Sequence, residues 1–187
     1  MIETFILSIT SFVGTNIDDM FINTLFFSEA ETKADSKSIV CGKYLGIGTL
    51  IILSILGAFG LQFLPQHYIG YLGFVPICLG IKEIIANIKS NSSDESEDNG
   101  RKSTNKVINT ALITTANGAD NIGVYIPLFA GFTVWQITLT VLVYLILIAV
   151  WCFLGKVLAD LPVLKSFLTR YKAIIVPIVY ITLGVYI

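Results

Sequence analysis

The chain has 187 residues, of which 55% are hydrophobic and only 13% charged, with a mean hydropathy of +0.79. Soluble domains carry about 25% charged residues, so a single large water-soluble core is excluded. The formal net charge of -1 matters less than where the charges fall, and the expected partner is a lipid bilayer rather than nucleic acid.

Six apolar spans of about 17 to 25 residues follow one another, each long enough for a helix to cross the hydrocarbon layer. The first, residues 4–28, contains "SFVGTNIDDMFINTLFF", in which Asn16, Asp18 and Asp19 stand among apolar neighbours. Gly14-Thr15-Asn16 has cap or turn character, so a break in the helix is expected there. The second span covers 43–64, after a loop holding Lys33, Lys37 and Lys43. The third covers 68–88 and includes Pro76, Cys78 and, at its end, Glu83. Cys78 is a candidate soft metal ligand and Glu83 a candidate entry-path residue.

The segment "KSNSSDESEDNGRKSTNK", residues 89–106, is too polar to bury a core and reads as a flexible linker. It divides the chain into a first three-helix unit, 1–88, and a second, 107–187. The fourth span, 107–131, carries "TTANGADNIGVYIPLF", with Asn117, Asp120 and Asn121 and a second expected break at Asn117-Gly118. The fifth and sixth spans cover 135–158 and 172–187.

The two halves echo one another. A displacement of 101 residues lays Asn16 on Asn117, Asp19 on Asp120 and Val75-Pro76 on Val176-Pro177. Three spans per half would insert the second half upside down relative to the first, as in many secondary transporters. The predicted fold is therefore an all-α membrane protein, six transmembrane helices arranged as two inverted three-helix repeats. All twelve Lys and Arg are assigned to three alternating loops, which places those loops in the cytoplasm and both termini outside. No basic n-region or small-residue cleavage site marks a signal peptide. Cys41, Cys78 and Cys152 form no CxxC pair, so neither a disulfide framework nor a zinc-finger pattern follows.

An Asp at a helix centre costs about 2.5–3.5 kcal/mol on insertion scales. Asp18, Asp19 and Asp120 then carry roughly 8–10 kcal/mol together, and no Lys or Arg is assigned inside the spans to offset it. Interhelical hydrogen-bond glue, at about 0.6 kcal/mol per contact, does not justify three carboxylates. A cation or proton site does. On a continuous helix Asn16, Asp19 and Asn23 share one face, as do Asn117, Asp120 and Asn121. The expected site is thus Asn16, Asp18, Asp19, Asn117, Asp120 and Asn121, with Asn23 and Thr15 as lesser candidates beside Cys78 and Glu83. Carboxylate, amide and carbonyl oxygens suit Mg, Ca or Mn, and cadmium is close to calcium in size. Protonation of the carboxylates would release a bound cation, which gives a direct route to metal–proton exchange.

The two polar motifs, "GKYLGIG" at the start of span two, "GFVPICLGIKE" in span three and above all "NGADNIGVYIPLF" resemble the cadmium-resistance transporter family of the lysine-exporter superfamily. The resemblance covers essentially the whole chain. It implies efflux of a divalent cation, cadmium first, across a bacterial plasma membrane, and it points to the Asp of span one and to Asn117, Asp120 and Asn121. Two places depart from the family pattern of a single Asp in span one and a Cys before "GADN": here stand Asn16-Ile17-Asp18-Asp19 and Ala116-Asn117. Both changes harden the site and keep manganese open beside cadmium. The transported cation and protons are the only ions expected, with no resident cofactor. A homodimer is compatible with so small a chain. Three rivals remain: an exporter of organic cations or amino acids, an intramembrane aspartyl protease using Asp19 and Asp120, and a structural membrane subunit without transport.

Overall fold

The computed structural model describes residues 1–61 and 105–160, together with isolated helical positions at 74, 77, 78, 81, 84, 85, 178, 181, 182 and 185. Most of the third and sixth predicted spans, the linker up to residue 104 and Glu83 lie outside the described residues. Six helices make up the rest: α1 Ile2–Asn16, α2 Asp19–Ser28, α3 Lys33–Leu61, α4 Lys106–Asn117, α5 Ala119–Ala130 and α6 Val134–Ala159.

These six helices are not six spans. Helices α3 and α6 are each long and apolar enough to cross a membrane, and α1 with α2 forms a third candidate bent by 64° at its break. The first predicted span is therefore two helices, α1 and α2. The fourth is two helices as well, α4 and α5, parted at Gly118. Both breaks fall where the cap-like residues predicted them. The fifth span matches α6 almost to the residue, because Thr133 and Gln136 close a capping box at its start.

The second span requires a correction. Its helix, α3, begins at Lys33 rather than at residue 43, so Lys43 belongs to the helix and not to the preceding loop. The apolar run starts late, but Asp35 in the first turn and the Thr32 hydroxyl accepting from the Asp35 N–H give the helix an earlier start. Likewise Lys106, assigned to the linker, opens α4, which Asn105 caps by accepting from the Val107 N–H.

Small polar residues share the interior with an apolar core, and many apolar residues face outward. On α1 the buried positions include Thr4, Ser8, Ser11 and Thr15, a stripe at helical spacing that meets α5 and α6. Ser8 bonds Thr140 at 2.8 Å, Ser11 bonds the Tyr144 hydroxyl at 2.7 Å, and Gln136 donates to Thr4. Apolar Ile52, Leu56, Ile146 and Phe153 are exposed, as a lipid-facing surface requires. Phe12, Tyr125, Phe129, Tyr144 and Ile148 form the centre of the core.

Helices α3 and α4 approach closely through Gly42 and Gly46. A methyl group on Gly42 would lie 2.6 Å from the Val107 carbonyl oxygen, and one on Gly46 would lie 2.7 Å from Thr114 Cβ. This G-x-x-x-G face brings the backbones together where a membrane offers no hydrophobic drive for helix association.

Candidate functional site

The first break is made by a side chain from another helix. The Trp151 indole N–H of α6 donates to the Asn16 carbonyl oxygen at 2.7 Å, the acceptor that a continuous helix would offer to the N–H of Met20. Insertion of a donor into the ladder is a recognised cause of sharp kinks. Past the break, the Phe21 N–H bonds the Asp18 oxygen three residues back, and the Asp18 carboxylate accepts from the Asp19 N–H at 3.0 Å as the cap of α2.

The second break leaves Gly118 between α4 and α5, with the Gly118 N–H turned to the Thr115 oxygen. The glycine is required by close packing. A Cβ there would run into Leu50 of α3, which is 1% exposed.

Between the two breaks lies a cavity of about 10 Å³, lined by Thr15, Asn16, Asp19, Leu50, Thr114, Asn117, Gly118 and Asn121. Room for one water-sized occupant needs about 10–15 Å³. Four of the six principal sequence candidates, Asn16, Asp19, Asn117 and Asn121, therefore meet there, joined by Thr15. Thr114, which sequence reasoning passed over, is buried on the wall with no hydrogen-bond partner for its hydroxyl.

Asp18 and Asp120 are both half-buried and are not among the residues lining this cavity. Asn23 is fully buried but faces α6, where its amide donates to the Trp151 carbonyl at 2.8 Å over the bare backbone of Gly155. The shared-face argument assumed one continuous helix, and the 64° break changes the phase beyond Asn16. Cys78 is exposed, whereas Cys152 is buried in the core.

Two aromatic residues that the sequence presents merely as apolar organise the amides. The Tyr125 hydroxyl receives the Asn16 and Asn121 amide groups, both at 3.0 Å, and bonds Thr15 at 2.9 Å. Both amides thus turn their nitrogen toward Tyr125. Trp151, as described, fixes the backbone beside them.

The expectation that no Lys or Arg pairs with the carboxylates is overturned. Lys43 is 1% exposed, and its ammonium donates to both carboxylate oxygens of Asp19, at 2.6 and 2.7 Å. Its place before an apolar run made it look like a loop charge. Among the described residues no three His, Cys, Asp or Glu side chains come together as a group able to hold a metal ion. Among the described residues the cavity wall combines amides and hydroxyls with Leu50, Gly118 and one carboxylate, Asp19, which is ion-paired to Lys43.

The family model for cadmium resistance transporters matches residues 12–187. The chain belongs to that family. Comparison with curated proteins and with solved structures finds no match. Membership in the cadmium resistance transporter family implies a membrane protein that carries metal, a transporter and not an enzyme. The aspartyl protease reading falls with it. The family match begins just before the first break and includes every residue of the cavity wall.

Proposed function

We propose that the chain exports a divalent cation, cadmium first and manganese second, from the bacterial cytoplasm across the plasma membrane in exchange for protons. The observation that carries the reading is the meeting of two broken helices at one small cavity, whose wall includes the buried Asn16, Asp19 and Asn121 and the exposed Asn117. Asn16 and Asp19 come from the first, Asn117 and Asn121 from the second. Broken helices presenting oxygen donors at depth are a common way to bind ions in secondary transporters. Asp18 and Asp120 lie next to the wall residues in sequence and would join the shell in another conformation of the cycle.

A repeat is supported by the helix limits, and three spans per half would invert it. Under the displacement of 101 residues that aligns the motifs, the end of α1 at Asn16 falls on the end of α4 at Asn117, and the start of α3 at Lys33 on the start of α6 at Val134. Loops rich in Lys and Arg would face the cytoplasm, with both termini outside.

Inside-out membrane vesicles under a proton gradient test the reading, with Cd, Zn, Mn, Co and Ca offered in turn. Wild type is expected to take up cadmium or manganese and release protons, while an Asp19→Asn, Asp120→Asn double variant, shown monodisperse in detergent, does not. Metal uptake that is equal in wild type and variant would overturn the site. No uptake of any metal by wild type would overturn the function and favour an organic-cation or amino-acid exporter.

A further inference from the structure

Among the described residues Lys43 is the one buried cation, and its presence needs a reason. Stability does not supply one, because buried ion pairs are often replaceable by well-packed apolar residues at no loss. Ordering a lysine also costs about 1.5–2 kcal/mol of rotamer entropy. What distinguishes the pair is its position. Among the described residues Asp19 is the only carboxylate on the cavity wall, and Lys43 holds both of its oxygens.

A metal ion that reaches Asp19 must take the same oxygens. Lys43 is not among the described residues lining the cavity, yet it engages both oxygens, so a metal that takes the two as its own ligands competes with the ammonium for the carboxylate's charge. In the same position the ammonium also lies over the ring of half-buried Phe26, 5.7 Å from its centroid and within cation–π range, a contact it need not give up when the carboxylate is taken.

We propose that Lys43 is a tethered competitor of the transported cation, holding Asp19 while the site carries no metal and yielding it when a divalent ion enters. The inference rests on the metal-export reading and adds a specificity-determining residue to it. A monovalent ion offers the carboxylate no more charge than the ammonium already does. A divalent ion offers twice as much at equal distance, so the lysine screens by charge. On the release side, the returning ammonium displaces the metal and keeps its affinity from becoming a trap.

Cadmium binding to the purified full-length protein, with uptake by the same protein in vesicles, provides the test. Lys43→Met removes the competitor at similar length. It is expected to bind cadmium about tenfold or more tightly and to show lower maximal uptake with lower KM. Lys43→Arg puts a forked donor on the same two oxygens, which holds a carboxylate more firmly, and is expected to bind cadmium more weakly. A purely structural lysine would not move the two variants in opposite directions. A monodisperse Lys43→Met protein that binds cadmium no tighter than wild type overturns the proposal. Should that variant not fold, Lys43→Arg decides, and unchanged or tighter binding overturns it. If wild type neither binds nor moves a metal, the export reading itself has failed and takes the inference with it.

Discussion

The indole of Trp151 and the carbonyl of Asn16 are joined at 2.7 Å across two helices. That bond ends α1 in the interior of the bundle and sets where Asp19 begins α2. The same tryptophan ring packs edge-on against Phe12 at 5.5 Å, and its own carbonyl receives the Asn23 amide. One residue of α6 thus holds both sides of the break.

Trp151→Phe keeps a ring against Phe12 and removes the donor. The Asn16 carbonyl would then be left buried with a lost partner, at a cost of about 1–3 kcal/mol. Thermal unfolding in detergent should show the loss. Cadmium uptake should fall more than stability does, because the bend that carries Asn16 and Asp19 to one cavity would relax toward a straight helix. Uptake that survives intact would detach the break from transport.

Tyr125→Phe tests the orienting hydroxyl. Thr15, Asn16 and Asn121 all bond that oxygen, so its removal takes one restraint from each amide and leaves Asn16 on the Phe12 carbonyl and Asn121 on Thr15 at 3.3 Å. The expected result is weaker cadmium binding, with a stability loss of about 1–3 kcal/mol. Asn16→Ala and Asn121→Ala should each weaken binding too. Combined with Tyr125→Phe, each should add less than its separate effect, as residues of one network do.

Much of this arrangement is legible in the sequence, and what escaped did so for physical reasons. Carboxylates and amides in apolar spans declare themselves by their cost, and Asn117-Gly118 announces a break by its weak helix preference. Lys43 escaped because hydropathy starts a span at its first apolar run, so a lysine there is counted with the loop. Tyr125 and Trp151 escaped because an aromatic residue in a greasy segment reads as packing. Only the fold reveals which polar atom its ring carries to a partner. The placing of Asp18 and Asp120 beside the wall rather than on it follows from the breaks, which end the helical phase on which a shared face depends. Gly42 and Gly46 stood in view as G-x-x-x-G, a signal about packing that a search for ligands passes over.

Asp35 and Lys106 pair at 2.8 Å across the starts of α3 and α4, in polar first turns ahead of the apolar stretches. The Lys106 ammonium hydrogen-bonded to Asp35 is the chief cause that holds its carboxyl below the ordinary value of 3.8. A lowered value in the folded protein means the contribution is present above that ordinary value and is lost as pH falls through the lowered one. Comparing melting temperatures of wild type and Asp35→Asn across pH should give a small difference at neutral pH that closes below about pH 4. Added salt should shrink the neutral-pH difference, since Lys106 is exposed and Asp35 only half-buried. A difference that persists in acid would assign the effect to capping by Asp35 instead.

The crossing of α3 and α4 can be tested within α3 itself. Gly42 and Gly46 face α4, and an added methyl group would meet the Val107 oxygen at 2.6 Å or Thr114 Cβ at 2.7 Å. Backbone oxygen cannot rotate away, so Gly42→Ala must push α4 outward, at about 1–3 kcal/mol as overpacking costs. Gly48 and Gly60 belong to the same helix, and a Cβ on either meets nothing within 4 Å. Alanine there should be neutral or stabilise by about 0.5–1 kcal/mol, because a helical glycine gives up more backbone freedom than alanine does. The contrast separates crossing distance from helix propensity, since all four changes are the same chemistry. Gly46→Ala should also impair cadmium binding. Thr114 lines the cavity and carries a buried hydroxyl without a hydrogen-bond partner, so moving it moves the wall. Equal stability and binding across the four variants would show that α3 and α4 have slack at their crossing, and the closeness of the two glycines would then explain nothing about the cavity.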